Sequence, residues 1–256
     1  MYTVGAHSRF TIHVDDILPA QSVSTEIQST DPVVVERAQY LNDMKSGTCS
    51  IGAVSTSRTW YLAEGYTDQG FEDWVLIQNP QATYNNVTVT FMESSGANTV
   101  KQYLLPPESR FTVLVDGYLP ASEVSVKVRS QDPVIVERAM YWNNRSDGHD
   151  SIATPTPDSE WYLPEGYTDQ GFETWVLIQN PGDENRKVTV TFMEPGGRNT
   201  TKDYTVPARS RFTIGVDEIL PSSEVSTRVI ADGPIIVERA IYFNNRSGGT
   251  DSVGIR

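Results

Sequence analysis

Asn86-Val-Thr-Val-Thr-Phe-Met92 alternates polar and apolar side chains with a period of two, the pattern of a strand with one buried face. The stretch returns as Lys187-Val-Thr-Val-Thr-Phe-Met193, 101 residues later. The period holds elsewhere: Trp60 recurs as Trp161, Arg9 as Arg110 and Arg211, and Glu36 as Glu137 and Glu238. No insertion breaks the register. The 256 residues are therefore two full copies of a 101-residue module, preceded by the second half of a third. Residues 60–155 and 161–256 agree at 59 of 96 positions, so one fold must serve both copies.

Within a module the strand signals dominate. Arg110–Val115 and Val124–Val128 alternate less cleanly, whereas Trp74-Val-Leu-Ile77 and Pro133-Val-Ile-Val136 are short apolar runs of the kind expected for strands covered on both faces. Turn-formers separate them, among them Asp68-Gln-Gly70, Asn79-Pro80, Ser94-Ser-Gly96 and Leu119-Pro120. No stretch carries a sustained helical period. The expectation is an all-β chain of tandem β-sandwich domains of about 100 residues, with seven or eight strands each. Divergent polar stretches at Val54–Thr59 and Pro155–Glu160 mark the linkers, the second including the Thr-Pro-Thr-Pro run of Thr154–Pro157. They divide the chain into residues 1–54, 55–155 and 156–256. The first is an N-terminal half-domain, a partial sandwich of about four strands that cannot bury both faces of a sheet alone. Met1 falls inside a strand-like run with no charged-then-apolar leader, which reads as a chain whose natural start lies further upstream. Strands supplied by a preceding segment or by another chain are the two ways to complete the half-domain.

Composition narrows the function. With 33 acidic against 20 basic residues the net charge is −13, and no basic run is present to displace counterions from phosphate, so nucleic-acid binding is disfavoured. The apolar runs are far shorter than the roughly 20 residues a spanning helix needs, so membrane insertion is not expected. One cysteine, Cys49, rules out an internal disulfide framework, and its counterparts are Asp150 and Asp251. Catalytic signatures for a nucleophile elbow, a phosphate loop or a zinc helix are absent. The histidines His7, His13 and His149 do not recur between copies, so neither a metal centre nor a cofactor is expected, and the chain reads as non-enzymatic.

Some charged positions recur in all three copies. Arg9/Arg110/Arg211 and Asp15/Asp116/Asp217 are two such columns, and Glu36-Arg37, Glu137-Arg138 and Glu238-Arg239 form a third and fourth. Adjacent residues of a strand point to opposite faces, so each Glu-Arg pair sends one charge to either side. A charge on an apolar strand face needs a partner. One reading is an internal ion-pair network of Asp116, Glu137, Arg138, Asp217, Glu238 and Arg239, in which Arg138 or Arg110 meets Asp116 or Glu64. The other is a polar floor under a ligand pocket, with Arg110 and Arg211 contributing. Aromatics around a Glu-Gly turn recur in Trp60-Tyr-Leu-Ala-Glu-Gly-Tyr66 and Trp161-Tyr-Leu-Pro-Glu-Gly-Tyr167. Exposed, they would suit a sugar, with apolar faces for stacking and carboxylates for hydroxyls; buried, they are core and turn.

The order of motifs resembles a known family. Trp-x-x-x-Glu-Gly-Tyr is followed by a strand ending Ile-Gln-Asn-Pro, then Val-Thr-Val-Thr-Phe, Val206-Pro-Ala-Arg-Ser-Arg-Phe212 and Gly233-Pro-Ile-Ile-Val-Glu-Arg239. Each full repeat resembles, end to end, the sensory rhodopsin transducer superfamily and related repeat modules of bacterial surface proteins. The resemblance implies a β-sandwich of about 100 residues and small-molecule binding, with sugars as a candidate class. It places that ligand region on Trp60, Glu64 and Tyr66, and on Trp161, Glu165 and Tyr167. The family's transducer is a single cytoplasmic domain, whereas tandem copies are typical of exported proteins. The expectation is thus an extracellular or cell-surface bacterial protein, a structural or adhesive scaffold or filament segment. Its partners would be copies of itself or further repeats of a longer chain. The alternative is a carbohydrate- or small-molecule-binding module used in tandem.

Overall fold

The computed structural model describes residues 1–256 and is all-β, apart from two short 3₁₀ turns at Val14–Asp16 and Pro195–Gly197. The N-terminal segment contributes a hairpin, β1 (Glu36–Leu41) and β2 (Ser46–Ile51). The first full module follows with β3 (Ser57–Leu62), β4 (Glu72–Asn79), β5 (Asn85–Glu93) and β6 (Asn98–Leu105). It closes with β7 (Ser109–Leu114), β8 (Val124–Trp142) and β9 (Asp147–Ile152). The second module repeats the order as β10 (Asp158–Leu163), β11 (Glu173–Asn180), β12 (Arg186–Met193) and β13 (Asn199–Val206), then β14 (Ser210–Gly215), β15 (Ser226–Phe243) and β16 (Gly248–Val253).

The long strand organises each module. The first half of β8 lies between β3 and β5, with Val128 opposite both Trp60 and Val89, and β6 extends that layer. The second half lies between β9 and β4, with Glu137 opposite both Ile152 and Leu76, and β7 extends the other layer. One strand thus passes from one layer to the other, and the layers enclose a core that includes Leu62, Val75, Ile77, Val89, Phe91 and Val136. The apolar runs around Val124–Val128 and Pro133–Val136, which read as two strands, are one. Pro133 has no N–H to give, and it sits at the crossing, after the last β5 pair at Ser130 and before the first β4 pair at Ile135. The register of β3 shifts at the same place, between Ser57 and Thr59. Trp60 fills the gap there, donating its indole N–H to Val134 O at 2.8 Å; Trp161 does the same to Ile235 O at 3.0 Å.

Residues 1–54 form two strands, not about four. In a full module β7 pairs with β4, and the first half of β8 pairs with β3 and β5. No segment of residues 1–54 corresponds to those partners, so only the self-paired hairpin survives. Val34 is 89% exposed where its counterparts Ile135 and Ile236 pack in or against a core.

Each module has a core of its own, but the second module's core extends across the boundary. Tyr61, Ala63, Phe71, Met140 and Trp142 of the first belong to the same apolar cluster as the second module's interior. The edge strands β2, β9 and β16 lie against one another along the side of the array.

Candidate functional site

The ionic centre of the chain lies between the modules. β8 and β15 each carry a Glu-Arg pair, and the pleat sends the two side chains to opposite faces. In β8 the arginine faces forward, toward the second module; in β15 the glutamate faces back. Arg138, wholly buried, gives Nη1 to Glu238 at 2.7 Å and Nη2 to Glu64 at 2.8 Å, and it also pairs with Asp251. Nη1 donates to Glu64 O as well, at 3.0 Å. Glu238 in turn accepts the N–H groups of Ala63 and Glu64, at 2.9 and 3.1 Å. Tyr242 donates its hydroxyl to Glu64 Oε1 at 3.0 Å and lies 3.2 Å from His149 Nε2. His149 Nδ1 is 3.1 Å from Asp251.

The charges are mutually compensating. Burial opposes the Arg138 charge, but Glu238, Asp251 and Glu64 outweigh it and raise its pKa further. Burial alone would lift Asp251, yet His149 and Arg138 hold its carboxyl below the ordinary range. Burial likewise works against a charged His149, and Asp251 with Glu64 overrides it, so the imidazole pKa is raised. Burial dominates at Glu238 and raises it despite Arg138. Glu64, His149 and Asp251 present donor atoms within 4.8 Å of one another, a geometry a metal could use. The Arg138 guanidinium, however, already bonds both carboxylates of that set.

The junction between the N-terminal hairpin and the first module repeats this plan in simpler form. Arg37 forks onto Glu137, at 2.7 and 2.9 Å, and pairs with Asp150. Arginine and glutamate are 100 positions apart in both junctions. In both, the arginine also reaches the aspartate of the second hairpin strand, Asp150 or Asp251. The simpler junction has Thr48 where the other has His149, and no counterpart of Glu64. Arg37 is accordingly 44% exposed.

A second part of the junction is built from the Glu-Gly turn. Arg211 is buried and donates to Gly65 O, while Thr213 gives its hydroxyl to Glu123 at 2.6 Å. Gln179 donates to Val126 O at 3.1 Å. Glycine is required at 65, because a Cβ there would come within 2.5 Å of Asp73 Oδ2 and 2.6 Å of Val124 O. Burial lowers the Arg211 pKa, against the pull of Glu123 and Glu64.

The residues singled out from sequence fall as follows. Trp60 and Trp161 are 3% and 1% exposed and offer no face to a ligand. Glu64 belongs to the ionic centre, and Tyr66 packs edge-on against Phe71 with centroids 5.2 Å apart. Arg110 is half-buried close to Arg37 and Glu137. Asp116 and Asp217 make no ion pair; they accept the backbone N–H of Asp73 and Thr174, at 2.9 and 2.8 Å. Glu137, Arg138 and Glu238 pair across module boundaries, and Arg138 also meets Glu64 of its own module, as one reading expected. Arg239 at the far end meets only Glu165, at 2.7 Å, whose side chain is 68% exposed. Sequence reasoning passed over Asp150, Asp251, His149 and Tyr242. The aligned column Cys49/Asp150/Asp251 was the available signal for the first two.

The second module's counterpart of the occupied turn is open. A cleft of about 470 Å³ is lined by Glu165, Gly166, Tyr167, Met193, Glu194 and Glu224 among others.

No protein-family model matches the chain, and no curated protein matches it. Among solved structures it is similar to Thermotoga maritima 1070, with 17% identity over 39% of this chain and 94% of that one, and a TM-score of 0.36. It is also similar to the Anabaena sensory rhodopsin transducer, with 25% identity over 32% of this chain and 95% of that one, and a TM-score of 0.30. No helix is long and apolar enough to cross a membrane.

Proposed function

We propose that this chain is a non-enzymatic stretch of a rod in which like modules stack head to tail. Its role would be that of a structural or adhesive scaffold, or a filament segment, on a bacterial cell surface. The observation that carries this reading is Arg138, fully buried and bonded to Glu64 of its own module and to Glu238 and Asp251 of the next. A desolvated ion cluster adds little net stability over an apolar contact, but it penalises every geometry in which a charge loses its partner. Such a joint favours one fixed angle between modules. The apolar cluster shared across the boundary supports the same conclusion.

Small-angle scattering on the full chain tests it. A rigid elongated particle is expected, and Arg138→Ala should loosen it. A wild-type chain that scatters as independently moving modules removes the reading. For the surface location, protease treatment of intact cells that make the protein should degrade it; protection would count against that location.

One observation favours a second reading, binding of a carbohydrate or small molecule. The open cleft places the exposed carboxylate of Glu165 beside Tyr167. A glycan array probed with the wild type and with Tyr167→Ala tests it, and no wild-type binding would exclude it.

A further inference from the structure

The open cleft and the unpaired end of the first hairpin repeat, residue by residue, the two sides of the joint between the modules. In the first module, the Glu-Gly turn and its surroundings are covered by four residues of the second: Arg211 at Gly65, Thr213 at Glu123, Glu238 at Arg138, and Tyr242 at Glu64. Each first-module partner in that set recurs at the end of the second module with no residue of another module over it: Glu165 and Glu224 are exposed, while Gly166 and Arg239 are buried within their own module. Every second-module partner recurs, exposed, in the N-terminal segment, as Arg9, Thr11, Glu36 and Tyr40.

Apolar and ionic features agree. Tyr242 packs on Phe71 and Trp142, which themselves stack with centroids 5.1 Å apart. At the far end Phe172 and Phe243 lie in a similar pose at 5.3 Å, half-buried and without a counterpart of Tyr242 over them, and Tyr40 is 66% exposed. The cleft is lined by three glutamates, of which Glu165 pairs with Arg239 and Glu194 with Arg198 while Glu224 makes no ion pair, and Arg9 is an exposed cation.

We infer that the far end of one copy receives the N-terminal segment of a second copy, with Glu36 on Arg239, Tyr40 on Phe172 and Phe243, and Arg9 in the acidic cleft. The contact is heterologous and does not close, so it propagates as an open filament. Cys49 stands where Asp251 would supply a second carboxylate, so this joint is weaker than the one around Arg138. The inference rests on the scaffold reading, and the two fail separately: a chain that scatters as a rigid rod yet never associates leaves that reading standing and removes this one.

Sedimentation velocity of the full chain, under reducing conditions and from about 1 µM to about 1 mM, is the test. The weight-average mass should climb reversibly from 28.5 kDa to at least twice that. Glu36→Arg, on an exposed strand, should hold the chain at monomer mass, as should Arg239→Glu. Mixing the two variants should restore growth, because the far end of R239E complements the hairpin of E36R and the remaining ends are native. A wild type that stays monomeric throughout, or growth that Glu36→Arg leaves unchanged, overturns the inference.

Discussion

Asp73 is a buried acid with no hydrogen-bond partner for either carboxylate oxygen, and its twin in the second module is Thr174. Burial pushes its pKa up to about 8; Asp116 and Glu64 add to the rise, while Arg138 and Arg211 oppose it. The unfolded chain releases this proton near pH ~3.9. Between those values the folded protein binds more protons than the unfolded one, so stability falls as pH rises, by about 1.4 kcal/mol per unit. The slope fades near pH 8, and the loss from pH 6 to pH 8 amounts to about 2 kcal/mol. Thr174 shows what a neutral group does in the same place: it accepts Tyr167 N–H at 2.9 Å and donates to Tyr167 O at 2.7 Å. Asp73→Thr should therefore abolish this part of the pH dependence. Urea unfolding at pH 6, 7 and 8 and constant ionic strength, followed by tryptophan fluorescence, measures it. The other buried titrating groups, His149, Glu238 and Asp251, are common to both proteins and largely drop out of the difference. The advantage of the variant should widen by about 2 kcal/mol across the range. A difference that stays constant, or narrows with pH, would refute the reasoning.

Arg138→Met leaves three buried carboxylates without their cation and should cost about 3–5 kcal/mol in urea unfolding. Arg37→Met, at the half-exposed joint, should cost only about 1 kcal/mol by the same measurement. Trp161→Ala should lower stability by about 3–5 kcal/mol, since it empties the crossing point of β15; a loss below about 1 kcal/mol would mean the indole is not core. Gly65→Ala drives a methyl into Asp73 and the Val124 carbonyl and should cost about 1–3 kcal/mol in thermal unfolding, with Gly52→Ala, whose nearest neighbour is 3.3 Å away, as the milder comparison. The raised pKa of His149 stabilises the fold below its unfolded value, and that contribution is lost as pH rises through the folded one. His149→Thr, the residue at 48 and 250, should thus lower the thermal midpoint at pH 5.5 more than at pH 9.

The strands were legible wherever alternation was clean. Asn86–Met92 lies within β5, and Trp74–Ile77 lies within β4, because side-chain period and burial coincide there. The long strand was not, since Pro133 reads locally as a break and its tolerance depends on which neighbours have already left it. In residues 1–54 the pattern of strands is present but their partners are not, and pattern without partners gives exposed extended chain. The ionic centre was half legible. Glu-Arg columns announced buried charge, and Glu64 stood among the partners considered for Arg138. The step across the module boundary was hidden, because a single repeat viewed alone gives no reason to pair an arginine with a glutamate 100 residues on. Opposite faces of one strand see different neighbours in an array, and only the packed structure shows which.

The Glu-Arg dipeptide has a consequence for the history and engineering of such arrays. Since each joint is made by the arginine of one copy and the glutamate and aspartate of the next, excision of a whole repeat rejoins complementary halves. Removal of residues 55–155 would bring Arg37 to Glu238 and Asp251, the same three-charge set in the same order. Duplication is equally silent. The number of modules can therefore change in steps of one repeat with the charge set intact, whereas a lone substitution in the set leaves its partner in the neighbouring copy unmatched.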